Sequence, residues 1–220
     1  NVGFGADISS STLGTSNFRA GVNAGNSITS GGNYNVTVGD EAGAAVSTGI
    51  QNTLIGALAG DALTDADKNV AIGYGALTTD TLGSRSVAIG TFALEDQNFT
   101  SVTDAYNVAV GNAAGANVTT GTMNTLIGGL AGDAITTGQY NVAIGVDALS
   151  VEDTASKSVA VGTSALAVQN AGTVDAYNVA VGHNSGVNVT TGVNNTLIGG
   201  LAGDALTTGS LSVAVGYHAL

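Results

Sequence analysis

Asn141-Val142-Ala143-Ile144-Gly145-Val146-Asp147-Ala148 is one statement of a phrase that recurs along the whole chain. Asn or Ser opens it, three mostly apolar residues follow, and Gly closes it. The closing glycine stands at Gly5, Gly21, Gly39, Gly56, Gly73, Gly90, Gly111, Gly128, Gly145, Gly162, Gly182, Gly199 and Gly216. Most intervals are 17 residues; Gly90 to Gly111 is 21 and Gly162 to Gly182 is 20. After the Gly come two variable residues and then a small one, Ala in most copies, with Ile8 and Ser185 as the exceptions. A larger period lies above the small one: Asn124 to Asp133 reads NTLIGGLAGD, and so does Asn195 to Asp204. That identity points to duplication of a four-copy block.

Seventeen residues are too few for a packed pair of helices, and a glycine in every copy opposes helix. Heptads are absent, so a coiled coil is excluded. The Val-Ala-Ile run, β-branched and closed by Gly, reads as a strand ending in a bend. Thr-Thr-Gly and Ser47-Thr48-Gly49 read as the opposing turn. The expectation is an all-β chain: a parallel β-roll or β-solenoid of about 13 coils, each built from two short strands and two bends. At a spacing of ~4.8 Å the coils stack into a rod of roughly 60 Å. All 220 residues belong to this one repeat domain, with insertions near 95–106 and 167–177.

The motif does not alternate polar with apolar residues, and unbroken apolar runs mark strands covered on both faces. One face fills the coil; the other needs a partner. The middle position carries small or aliphatic side chains, and these are assigned to contact between sister chains. They are Leu54, Ala71, Ala88, Ala109, Leu126, Ala143, Ala160, Ala180, Leu197 and Ala214. The chain is therefore expected to assemble around a common axis.

The Asn/Ser-Val-Ala-Ile/Val-Gly-x-x-Ala phrase resembles the head repeat of trimeric autotransporter adhesins, the YadA-like family. The resemblance covers essentially the whole chain. It implies a left-handed parallel β-roll, a homotrimer and a place outside the cell. Related repeats in phage tail fibres, with Thr-Thr-Gly spacers, resemble this chain more closely. The resemblance thus implies a non-enzymatic fibre segment, first of a phage tail fibre mediating host attachment, second of a bacterial adhesin head.

Composition agrees. Glycine numbers 34 and proline is absent, while 16 acidic and four basic side chains give a net charge of -12. Four cations cannot neutralise a row of phosphates, which excludes nucleic-acid binding. An acidic chain is repelled by anionic lipid, and no apolar run reaches the ~20 residues that span a bilayer. Without cysteine there are no disulfides or thiolate metal sites. The chain lacks an initiator Met and a leader, and reads as an interior piece of a longer fibre.

Chemistry-bearing residues are sparse, and no cofactor, metal or catalytic group is expected. His183 and His218 follow motif glycines and read as surface residues, with metal binding across a threefold axis as the alternative. Gly3-Phe4-Gly5 and Gly73-Tyr74-Gly75 lack the rest of a dinucleotide fingerprint. Asp61, Asp65 and Asp67, Asp40-Glu41, and Glu152-Asp153 fit no calcium-loop pattern and read as a solvated acidic rim. Glycosylation sequons at Asn35, Asn98, Asn117 and Asn188 read as turn chemistry. Paired threonines such as Thr119-Thr120 and Thr136-Thr137 raise an ice-binding alternative, but adjacent residues face opposite ways. Loops on a rigid scaffold are where recognition sits. The insertions therefore supply the ligand-contact candidates: Asn98, Phe99, Asp104 and Tyr106 in one, Asn170, Asp175 and Tyr177 in the other.

Overall fold

A glycine every 17 residues acquires a steric reason in the structure, a computed structural model that describes residues 13–220 and the strand Ile8–Ser9. Gly3-Phe4-Gly5 and the motif copy ending at Gly5 lie outside the described residues. A Cβ added to Gly56 would stand 2.4 Å from the carbonyl oxygen of Gly73, the same glycine one coil on. Gly56 also has φ of 134°, a region closed to other residues. The pattern repeats at Gly39, Gly73, Gly111, Gly128, Gly145, Gly162, Gly182 and Gly199, and Gly90 has φ of 136°. Gly216 shares the conformation with φ of 127°.

The chain is all-β and divides into two compact units, Asn1–Tyr106 and Asn107–Leu220. The first holds β1 (Ile8–Ser9), β2 (Phe18–Ala20), β3 (Val36–Val38), β4 (Thr53–Ile55), β5 (Val70–Ile72), β6 (Gly83–Ser84), β7 (Val87–Ile89) and β8 (Thr103–Asp104). The second holds β9 (Val108–Val110), β10 (Thr125–Ile127), β11 (Val142–Ile144), β12 (Val159–Val161), β13 (Val179–Val181), β14 (Thr196–Ile198) and β15 (Val213–Val215). Within the first unit β2, β3, β4, β5 and β7 pair in parallel and in that order. Within the second, β9 through β15 do the same in chain order. The motif strands of each unit, five in the first and seven in the second, thus build a parallel β-solenoid, with β1 added antiparallel to β2 in the first.

One expectation needs correction. A typical coil contributes one three-residue strand, not two. Left-handed residues occupy the remaining arc: Leu58, Gly60 and Lys68 have φ of 58°, 55° and 61°. Extended chain cannot run through such positions. The arc still pairs with its neighbours, as in Ser47 N to Thr64 O at 3.0 Å and Gly60 N to Ala76 O at 2.9 Å.

A second correction concerns the middle strand position. Leu54, Ala71, Ala88, Ala109, Leu126, Ala143, Ala160, Ala180 and Leu197 are all 0 % exposed in the single chain, and Ala214 is 4 % exposed. They fill the coil's own interior and present nothing to a sister chain. The flanking positions, such as Val142 and Ile144, are the ones on the outer face. Both faces of the strand are apolar, and the flanking residues, not the central one, are turned outward. Only one side of a three-residue strand can point inward, and the single central side chain is the one enclosed by the turn.

Core volume is shared between adjacent elements. Where the strand centre is Leu54, Gly60 follows, and a Cβ there would meet Leu54 Cδ2 at 2.9 Å. Where the centre is Ala71, Leu77 follows at the equivalent place and is fully buried. Leu126 with Gly132 and Ala143 with Leu149 repeat the exchange. Interiors pack near crystal density, so volume removed at one site returns at its neighbour.

The Asn that opens the motif forms an internal ladder. Asn124 Nδ2 donates to Gly138 O at 2.9 Å, and its Oδ1 accepts Asn141 N at 2.9 Å. Asn35, Asn52, Asn69, Asn141 and Asn195 make the same pair of bonds. Every buried amide is used, as burial demands. At Ser86 and Ser158 the ladder is interrupted.

Candidate interaction surface

The described residues contain no pocket and no group of three or more side chains placed to hold a metal. No helix among them is long and apolar enough to cross a membrane. What the coils present outward is therefore surface. Two features stand out on it.

The first is the outer face of the main sheet. Val or Thr precedes each buried strand centre and Val or Ile follows it, and Ile55, Ile127, Ile144, Val181 and Ile198 remain 36–41 % exposed. In-register pairing stacks them: Ile55 lies beside Ile72, Ile127 beside Ile144, Val181 beside Ile198. Each unit so carries a ladder of β-branched side chains turned to solvent.

The second is the pair of insertions, where the structure brings together most of the residues singled out above. In the first, β6 pairs in parallel with β8, setting Ser84 opposite Asp104. Arg85 Nε then lies 2.8 Å from Asp104 Oδ1, with the guanidinium 5.7 Å from the centre of the Tyr106 ring. The Asp104 carboxylate raises the pKa of Arg85. In the second, a bridge pairs Ser156 with Asp175. Lys157 Nζ donates to Asp175 Oδ2 at 2.6 Å and to Tyr177 Oη at 3.2 Å, and lies 5.2 Å from that ring's centre. These two hydrogen bonds raise the Lys157 pKa. Tyr106 and Tyr177 are half exposed.

Other candidates fall elsewhere. Phe99 is buried at 6 % exposure, so it floors its loop and cannot contact a ligand. Asn98 accepts a bond from Thr81 Oγ1, and Asn170 N donates to Thr190 O. Glu152 is fully buried, which corrects its assignment to a solvated rim. Asp40 and Glu41 are exposed. Asp61, Asp65 and Asp67 accept hydrogen bonds from adjoining coils, through Thr78, Thr48 and Ile50 N respectively. His183 is exposed, and His218 faces Asp204 at 3.4 Å. Thr119 and Thr136 give their hydroxyls to backbone oxygens of the next coil, so these groups are not free to order water. Asn35 is buried in the ladder, whereas Asn117 and Asn188 are exposed.

A buried polar network under each insertion was not anticipated. Asp80 accepts from Gln97 Nε2 at 2.6 Å, from Gly83 N at 3.0 Å and from Phe99 N at 3.1 Å. Gln97 Nε2 also donates to Ser86 Oγ at 3.1 Å. Glu152 accepts from Gln169 Nε2 at 2.8 Å and from Ala155 N at 2.9 Å, and Gln169 Nε2 reaches Ser158 Oγ at 3.0 Å. The signal was present: these coils alone combine Ser in the motif with a polar residue where others carry Val46, Leu63, Val118 or Ile135.

Comparison with known protein families, curated proteins and solved structures finds no match to this chain.

Proposed function

We propose that this chain is a non-enzymatic fibre segment that assembles as a homotrimer outside the cell and serves attachment to a host or surface. The observation that carries the reading is the outward ladder of Val and Ile on each unit. Contiguous apolar surface of this kind marks a protein contact. The net charge of -12 keeps such a chain soluble while leaving that face nearly uncharged. The 17-residue period and the Thr-Thr-Gly spacers favour a phage tail fibre, and the motif's likeness to adhesin heads keeps a bacterial surface adhesin as the second reading. A left-handed roll and a threefold axis belong to this proposal through that likeness.

Sedimentation velocity at micromolar concentration tests it: three times the 21.2 kDa chain mass is expected, and a monomer overturns it. Ile127→Glu with Ile144→Glu should shift the protein towards monomer, because each places a charge in the contact at several kcal/mol.

A further inference from the structure

The two insertions repeat one construction with different residues. Each places a cation, a carboxylate and a tyrosine in mutual contact at the surface: Arg85, Asp104 and Tyr106 in one unit, Lys157, Asp175 and Tyr177 in the other. The chain has only four basic residues, and two of them are placed here. Arg85, Tyr106, Lys157 and Tyr177 all adopt left-handed backbone, with φ of 64°, 52°, 64° and 49°. That conformation disfavours any residue with a Cβ by about 1–2 kcal/mol, and Gly or Asn would suit it better. The residue before the motif takes this conformation in other coils too, among them Gln51, Lys68, Met123 and Tyr140 with φ of 59–61°, so the coil itself fixes the direction in which these side chains leave it.

The constellation is also built from beneath. The insertion backbone is tied to a fully buried carboxylate, Phe99 N to Asp80 at 3.1 Å and Ala171 N to Glu152 at 3.4 Å. Gln97 and Gln169 complete those networks. A site supported by locked inner hydrogen bonds on paired strands keeps its geometry without a ligand. Both tyrosines nevertheless remain about half exposed, at 48 % and 50 %.

We propose that each cluster is a binding ledge for a neutral glycan. This deepens the attachment reading above by naming the class of ligand. A pyranose has one apolar C–H face, which fits the exposed part of a tyrosine ring, an amphipathic surface with a polar edge. Its neighbouring hydroxyls donate to the carboxylate and accept from the guanidinium or ammonium, so the ion pair supplies both kinds of hydrogen-bonding partner. The cation and carboxylate cancel, leaving no net local pull on a charged ligand. The chain's charge of -12 repels acidic sugars and phosphates. Arg in one ledge and Lys in the other satisfy the same requirement, a donor held beside Asp.

The test applies the intact chain to a printed array of neutral and acidic glycans. The wild type should retain at least one neutral glycan. Tyr106→Ala with Tyr177→Ala should weaken that binding by about tenfold or more. Asp104→Asn with Asp175→Asn, nearly isosteric, should weaken it by about tenfold through loss of the charged acceptor. Tyr140→Ala, which removes an exposed tyrosine that has no such ion pair, should leave it within about twofold. Thermal melts verify that each variant is folded. Retention of no neutral glycan, retention of acidic glycans alone, or binding unchanged in both double variants overturns the proposal. Sedimentation of the same proteins keeps the two readings apart. A trimer that binds no glycan sinks the ledge and leaves the fibre; a monomer that binds one sinks the trimer and leaves the ledge. Loss of oligomer mass in the tyrosine variant, with no wild-type glycan binding, would make the ledge a subunit contact and end the proposal.

Discussion

Single residues state the physics of this fold in pairs that look alike and behave differently. Gly73 and Gly172 both have positive φ, at 138° and 71°. A Cβ on Gly73 would sit 2.5 Å from Gly90 O, while one on Gly172 meets nothing within 4 Å. Gly73→Ala should therefore cost about 3 kcal/mol or more, from strain and collision together, and Gly172→Ala about 1 kcal/mol. Denaturant melts of the two variants measure the gap, and equal losses would refute the stacked-glycine argument. Thr37 occupies a strand centre at 0 % exposure, and its Oγ1 has no hydrogen-bond partner. Thr37→Val removes that orphan and should stabilise by about 1 kcal/mol. Asp133 carries the opposite liability. Desolvation, with a smaller push from Asp147, raises its carboxyl pKa, and its Oδ1 is unpartnered. An acid whose pKa is higher folded than unfolded binds protons more readily in the native state, so its contribution is most favourable when protonated. Stability falls as pH rises from the unfolded value of about 3.9 through the raised folded value. Asp133→Asn should accordingly melt higher than wild type at about pH 7, with the gap shrinking towards about pH 3. A constant gap would show that the charge is not the cause.

At the scale of elements, the asparagine ladder and the insertion networks decide how coils stay in register. Asn124→Ala leaves Gly138 O and Asn141 N without their partners inside the coil. It should cost about 2–4 kcal/mol, more than any exposed Asn on the arc. The insertion network follows a different rule. Glu152→Ile alone takes an acceptor from Gln169 Nε2 and from three backbone amides, at Asp153, Ala155 and Ala171, and should destabilise by about 3 kcal/mol or more. Adding Gln169→Val reproduces the apolar stack that Val118 and Ile135 already make in preceding coils, and should recover much of that loss. Chemical denaturation of the single and double variants measures the recovery. Its absence would mean that the pair shapes the insertion backbone and does more than fill the interior. Both devices follow from one fact: the parallel strands have only three residues, so side-chain amides must supply the pairing that longer strands obtain from backbone.

For the molecule as a whole, the outward place of the flanking strand residues decides which substitutions report on assembly. A charge at Ala143, fully enclosed, probes folding: Ala143→Lys should abolish the cooperative melt by burying an unpaired ammonium. A charge at Ile144, on the outer face, probes association and should leave the monomer folded. Light scattering beside circular dichroism separates the two outcomes, and a folded oligomer in both variants would contradict this account of the interface. The period, the strand at each motif and the stacking glycines were all legible in the chain, because each coil repeats the same local demand and only glycine meets it. The candidates Asp104, Tyr106, Asp175 and Tyr177 were legible too, since a fixed repeat makes any insertion conspicuous. Other properties required three dimensions. Val142 and Ala143 are both apolar, and pattern does not say which of two apolar faces is inward; the closure of the coil decides it by enclosing the central side chain. Arg85 and Asp104 stand 19 positions apart, and Lys157 and Asp175 stand 18 apart. Only the parallel pairing of β6 with β8, and of Ser156 with Asp175, converts those separations into contacts. The repeat sets the coil because its causes are local and recur, whereas the ion pairs, the buried Asp80 and Glu152, and the outward Val and Ile ladder arise from stacking one coil on another.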